Sequence, residues 1–172
     1  MTLPWLFVAT LGFTAAAMFL LWLLSVRLRD ASIVDIWWGP GFAAIAAVTY
    51  ALSAGGDPAR KQLIVLLAAA WGLRLGAYLL WRNVGKGEDY RYQLMRRKHG
   101  ERFARVSLTS VFGLQGALMW FVSLPLQVAQ TGAPSAGLGA LDALGAALVA
   151  VGLLFESVGD LQLARFKSDP TN

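Results

Sequence analysis

Asp35, Arg74, Gln115 and Glu156 each interrupt an otherwise apolar stretch of this 172-residue sequence. An ionisable side chain inside hydrocarbon is costly, so it is either paired with a neighbour or turned toward a water-filled cavity. Two readings follow for Asp35, Arg74 and Glu156. In one, they are a buried charge-paired cluster that ties helices together. In the other, they line a polar cavity, with a cation for an anionic cofactor and carboxyl groups for proton transfer. Asp142 lies near the opposite end of its apolar stretch and does not join them. Trp71, Arg74 and Tyr78 share one face at i, i+3 and i+7, which sets an aromatic ring on either side of the guanidinium along that stripe. Asp35 is followed by Trp37-Trp38-Gly39-Pro40-Gly41. A proline between two glycines loosens a backbone where it lines a cavity, and the tryptophan pair equally suits an interfacial belt.

Several chemistries are excluded at once. The chain has no cysteine, so it has no thiol nucleophile, disulfide or zinc-thiolate site. With His99 as its one histidine, it offers neither a catalytic triad nor a multi-histidine metal centre, and no metal is expected. The net charge of +5 suits nucleic acid, anionic lipid or a phosphorylated ligand, and placement decides among them.

The elements that position these residues follow from hydropathy. The sequence is 57% hydrophobic and 15% charged, with a mean hydropathy of +0.56, against about 25% charged residues in a soluble domain. Five stretches reach the roughly 20 apolar residues that a spanning helix needs: 3–26, 33–53, 62–81, 109–130 and 137–158. The expected fold is an all-α, multi-pass transmembrane bundle forming a single membrane domain. Breaks fall at Arg27 to Asp30, at Gly55-Gly56-Asp57-Pro58 and at Gly132 to Ser135. Twelve Lys and Arg gather on one side of these spans, against Arg60 and Lys61 on the other. The positive-inside bias then predicts an outside N-terminus and a cytoplasmic C-terminus, as in a bacterial inner-membrane protein.

Most of that charge lies in the connection 83–108, whose segment Gly85-Lys86-Gly87-Glu88-Asp89-Tyr90-Arg91-Tyr92 mixes glycines, acids and aromatics where a lipid anchor needs only cations. Nucleic acid is not an expected partner. Asp35 and Glu156 share a depth near the cytoplasmic boundary, and Arg74 lies eight residues, about 12 Å, inward of Arg82. With Gln115, four helices are expected to converge on one cytoplasm-facing cavity. Gly145, Gly152 and Gly159 recur every seven residues on the fifth span, a seam that permits close approach of another helix.

The motifs Asp35-x-x-Trp38-Gly39, Trp71-Gly72-x-Arg74-Leu75, Arg82-x-x-Gly85-Lys86-Gly87-Glu88-Asp89-x-Arg91-Tyr92, Gln115-Gly116, Ser123-Leu124-Pro125 and Glu156-x-x-x-Asp160-x-Gln162-x-x-x-Phe166-Lys167 follow in order. Together they resemble the DUF1295 family of multi-pass membrane proteins, similar to the steroid 5-alpha-reductase superfamily. The resemblance implies NADPH bound on the cytoplasmic side and reduction of the carbon–carbon double bond of a lipophilic enone such as a steroid. It implies substrate or carbonyl contacts from Asp35 and Tyr78 as the catalytic pair, with Trp38, Trp71, Gln115 and Glu156 around the substrate. Cofactor contacts would come from Arg74, Lys86, Glu88, Asp89, Arg91, Tyr92 and Arg96. Aligned on Arg74, Trp71 stands where steroid reductases carry a tyrosine, and Asp35 where they carry a glutamate. In the family, further helices and an Arg-His-Pro-Asn-Tyr type segment follow the point equivalent to Asn172, so the chain resembles the N-terminal two-thirds of such a reductase.

Two other readings stand beside this one. The related isoprenylcysteine methyltransferase architecture holds S-adenosylmethionine in a similar pocket. A non-catalytic bundle would instead pack with a partner, or with a second copy, through Gly145, Gly152 and Gly159.

Overall fold

The computed structural model describes residues 2–132 and 137–169. Within them the chain is helical, and five helical runs are long and apolar enough to cross a membrane. They are α1 (Leu3–Leu28), α2 (Ile33–Leu52), α3 (Pro58–Asn83), the run that ends in α6 (Leu114–Ala129), and α7 (Ala140–Ser168). Of the break expected at Gly132 to Ser135, positions 133–135 lie outside the described residues.

The expected connection 83–108 is itself folded. It carries α4 (Tyr90–His99), a 3-10 turn (Gly100–Arg102) and α5 (Phe103–Ser107), which runs through a π-helical turn (Leu108–Gly113) into α6. α7 continues ten residues beyond the expected boundary at Val158. Local chemistry fixes the starts. The Asp57 carboxylate accepts the Arg60 N–H at 3.0 Å ahead of Pro58. The Asp89 carboxylate accepts the Arg91 N–H at 2.9 Å. The Asp142 carboxylate accepts the Gly139 N–H at 2.8 Å.

α2 and α3 form the tightest pair, and glycine is the reason. A Cβ on Gly39 would strike the Gly72 carbonyl, one on Gly72 would strike the Gly39 carbonyl, and one on Gly76 would lie 2.7 Å from Pro40 Cγ. Gly39 and Pro40 therefore serve backbone approach to α3 inside a continuous helix, Gly41 makes room for the Met119 side chain, and the loosened backbone expected there is not found. Met18, Val34, Phe42, Ile45, Phe112 and Met119 fill the space among α1, α2 and α6.

A buried polar ladder joins α1 to α6. Thr10 Oγ1 donates to Gln127 Oε1 at 2.7 Å, Gln127 Nε2 donates to Ser123 Oγ at 2.8 Å, and Trp120 Nε1 donates to Thr10 Oγ1 at 3.1 Å. α7 is different: none of its residues is buried, and it packs chiefly on α3.

Candidate functional site

The basic end of the bundle is organised by a loop-to-loop zipper. Glu88 Oε1 accepts the Ala31 N–H at 2.8 Å, and the Glu88 carboxylate is gripped by both Arg96 Nε (2.9 Å) and Nη2 (2.7 Å). The Asp89 N–H donates to Ser32 Oγ at 2.7 Å, and that hydroxyl donates to Asp30 Oδ1 at 2.6 Å. These bonds pin the start of α4 over the start of α2. Burial alone would push the Glu88 carboxyl up, but its bonds to Arg96 and the Ala31 N–H and the Arg96 charge outweigh this and hold it below its ordinary 4.5. The Arg91 side-chain bond, opposed by a smaller effect of burial, likewise lowers Asp89.

The zipper brings α4 side chains onto Asp35. Arg91 Nη2 lies 2.8 Å from Asp35 Oδ2, while the Tyr92 hydroxyl donates to Asp35 Oδ1 at 2.9 Å. Gln115 Nε2 donates to the same Tyr92 oxygen at 3.2 Å. Asp35, Trp38, Leu79, Arg82, Arg91 and Gln115 line an open cleft of about 390 Å³. Arg82 hydrogen-bonds the neutral Asn83 Oδ1 at 3.2 Å.

Arg74 and Glu156 belong to a second set. Arg74 is ion-paired to Glu156 Oε2 through Nη2 and to Asp160 Oδ2, at 2.6 Å, through Nη1. Trp71 Nε1 donates to Glu156 Oε2 at 3.1 Å, and the Tyr78 hydroxyl to the Asp160 carbonyl at 3.3 Å. The expected face of Trp71, Arg74 and Tyr78 is thus the seat of α7. Beside it, an apolar groove of about 330 Å³ runs among Phe42, Ile64, Leu67, Trp71, Leu126 and Leu153, with Glu156 in its wall.

An aromatic row connects the two. Trp38 meets Phe42 edge-on with centroids 5.6 Å apart, and Phe42 meets Trp71 at 5.7 Å. Trp38 faces the charged cleft, and Phe42 and Trp71 face the groove.

The four polar residues expected in one cavity therefore divide. Asp35 and Gln115 sit with Arg91 and Tyr92, whereas Arg74 and Glu156 sit with Trp71, Tyr78 and Asp160. Tyr78 bonds α7, and Tyr92 is the tyrosine on Asp35. Glu88 and Arg96 pair with each other, Asp89 caps α4, and Lys86 is exposed between Gly85 and Gly87, both at positive φ. Asp142 forms a bidentate pair with Arg60 at 2.7 and 2.9 Å, away from either set. A Cβ on Gly145, Gly152 or Gly159 would meet nothing within 4 Å among the described residues, so the glycine seam makes no close helix contact there, and Gly152 borders the open groove. Asp160 and Arg82 were not among the candidate residues. The signal for Asp160 is its i+4 spacing from Glu156, and for Arg82 its place two turns from Arg74 on α3.

No curated protein and no solved structure matches the chain. The family model of DUF1295, described as a protein of unknown function, matches residues 21–172. That match takes in every helix described above except the first part of α1, and the chain belongs to the DUF1295 family.

Proposed function

We propose that this bundle is a membrane-embedded reductase that uses NADPH to reduce the carbon–carbon double bond of a lipophilic enone, with its basic end in the cytoplasm. The observation that carries the reading is the pairing of an open charged cleft with an apolar groove across the Trp38–Phe42–Trp71 row. Such a pairing lets a polar nucleotide reach the cleft from water while a lipid lies in the groove.

The residues at the cleft fit the polar cofactor. Arg82, hydrogen-bonded to the neutral Asn83 amide and lying over the Tyr78 ring, and the exposed Lys86 on the loop that follows supply cations for phosphate, and Arg91 keeps 64% of its side chain exposed while its inner edge holds Asp35. Bound there, NADPH would supply a hydride to the β carbon of the enone. Negative charge then develops on the substrate carbonyl oxygen. Gln115 spends one N–H on Tyr92 and keeps a second for that oxygen, as an oxyanion donor. Tyr92 and Asp35 are the proton-handling pair, with the hydroxyl proton held between Tyr92 Oη and Asp35 Oδ1. In this reading Tyr92 takes the role that the resemblance implied for Tyr78. Arg74, shared by two carboxylates, fixes α7 along the groove and leaves the phosphates to Arg82, Lys86 and Arg91.

A specific observation favours a second reading. Arg91 and Arg96 are balanced by Asp35, Asp89 and Glu88, which suits a nearly neutral cofactor such as S-adenosylmethionine. Parallel titrations of NADPH and S-adenosylmethionine into the chain in lipid nanodiscs separate the two. The reductase reading expects saturable NADPH binding weakened about tenfold by Arg82→Ala, the loss of one charge-assisted contact. It also expects enone-dependent NADPH oxidation that Gln115→Ala slows with little change in binding. Binding of S-adenosylmethionine alone overturns it.

A further inference from the structure

One stripe of α1 and one face of the α5–α6 run enclose two clefts in line. The outer cleft, about 350 Å³, lies at the basic end among Ser25, Arg29, Arg96, Gly100 and Ser107, with Glu101 as its one acid. The inner cleft, about 410 Å³, is apolar and lies among Leu11, Met18, Phe19, Leu108, Phe112 and Gly116. Residues 11, 15, 18, 22, 25 and 29 recur at helical spacing along α1, so both clefts lie on the same furrow. Trp22 stands between them and donates from Nε1 to the Ala104 carbonyl at 2.9 Å.

Three observations say what belongs there. First, the charge is one-sided: among the described residues Arg27, Arg29, Arg97, Lys98, Arg102 and Arg105 form no ion pair. Second, Arg29 is the only non-glycine described residue at positive φ (54°). It closes α1 in a left-handed conformation that glycine adopts without strain, yet it places a guanidinium on the cleft. Third, the near edge of the apolar cleft lies within reach of an acyl chain: the eleven residues from Met18 to Arg29 span about 16 Å, half of a roughly 30 Å hydrocarbon core, and the cleft continues from there toward Leu11.

We propose that this furrow is a binding site for an anionic phospholipid, with the phosphodiester at Arg29 and Arg96 and an acyl chain in the apolar cleft between α1 and α6. Arg96 is prepared for such a contact, since Glu88 and the Phe103 ring, 4.3 Å from the guanidinium, fix its orientation. The site is separate from the charged cleft at Asp35 and does not depend on the reductase reading.

The test uses the full chain in phosphatidylcholine nanodiscs with and without phosphatidylglycerol, read by thermal unfolding and by native mass spectrometry of retained lipid. Phosphatidylglycerol is expected to raise the unfolding temperature and to stay bound, whereas inorganic phosphate does neither. Arg29→Gly removes the cation and relieves the left-handed strain. It is expected to be no less stable in phosphatidylcholine while retaining phosphatidylglycerol about tenfold less well. Ala15→Phe, which fills the apolar cleft from α1, is expected to reduce retention as well. Lys98→Ala, outside the cleft, is expected to leave it unchanged. An equal loss from Lys98→Ala would show diffuse charge attraction and overturn the site, as would full retention by Arg29→Gly or an equal response to free phosphate.

Discussion

Asp35 is held from two sides by residues 56 and 57 positions further along the chain, and the Tyr92 hydroxyl also holds Gln115. Tyr92→Phe leaves a carboxylate oxygen and an amide N–H without this partner, so it is expected to cost about 1–3 kcal/mol, measured by thermal unfolding in nanodiscs. The acids of the zipper give a pH dependence of known sign. Glu88 and Asp89 ionise below their ordinary values when folded, so their contribution is present above the unfolded values and lost as pH falls through the folded ones. Amide hydrogen exchange at Ala31 is therefore expected to stay protected from neutral pH down through the ordinary carboxylate range and to lose protection only as pH falls below it. Glu88→Gln should flatten that response. At this scale the sequence marked Asp35, Arg74, Gln115 and Glu156, because a polar group in an apolar run is conspicuous. Arg74 and Glu156, both marked, pair with each other; the sequence did not join Arg91 and Tyr92 to Asp35, or Asp160 to Arg74. Arg91 and Tyr92 reach Asp35 only after the connection folds, and Asp160 falls past the apolar run that ends at Val158.

Among the helices, the α2–α3 crossing is the least tolerant feature. Gly72→Leu places a branched side chain where the Gly39 carbonyl already sits, and is expected to cost more than about 3 kcal/mol or to abolish folding. Gly145→Leu is the contrasting case. Its Cβ meets nothing, so the change is expected to be neutral to within about 0.5 kcal/mol for the single chain. A large effect of Gly145→Leu on unfolding or on particle mass would show that the glycine seam is covered by a second subunit. All five spans were legible from hydropathy, because length and apolarity suffice to locate them. α4 was not, since its inward face is only Tyr92 and Met95 among charged residues, too short an apolar pattern to read from hydropathy, and its placement also depends on Glu88, Asp89 and Ser32. The glycines beside Pro40 were visible but ambiguous, and only the positions of Gly72 on α3, against Gly39, and of Met119, against Gly41, decide that they serve close packing.

For the molecule as a whole, twelve cations against two predict a direction across the membrane. The chain carries no cysteine, so single introduced thiols report sidedness without background. Lys98→Cys is expected to react with an impermeant maleimide only after the cells are opened, and Gly55→Cys in intact cells; the reverse pattern would invert the orientation. The sequence placed four polar residues in one half of the bundle but could not resolve which way each faced around the bundle axis, and so one expected cavity became two neighbouring ones. α7 is fastened by Arg60–Asp142 and by Arg74 to Glu156 and Asp160, clasps about 21 Å apart along the helix with no buried residue between them. Every residue lining the charged cleft precedes position 132, whereas the groove needs Val149, Leu153 and Glu156. During synthesis, the charged cleft can thus be in place before the last span leaves the ribosome, and the apolar groove is completed only when that span clips on.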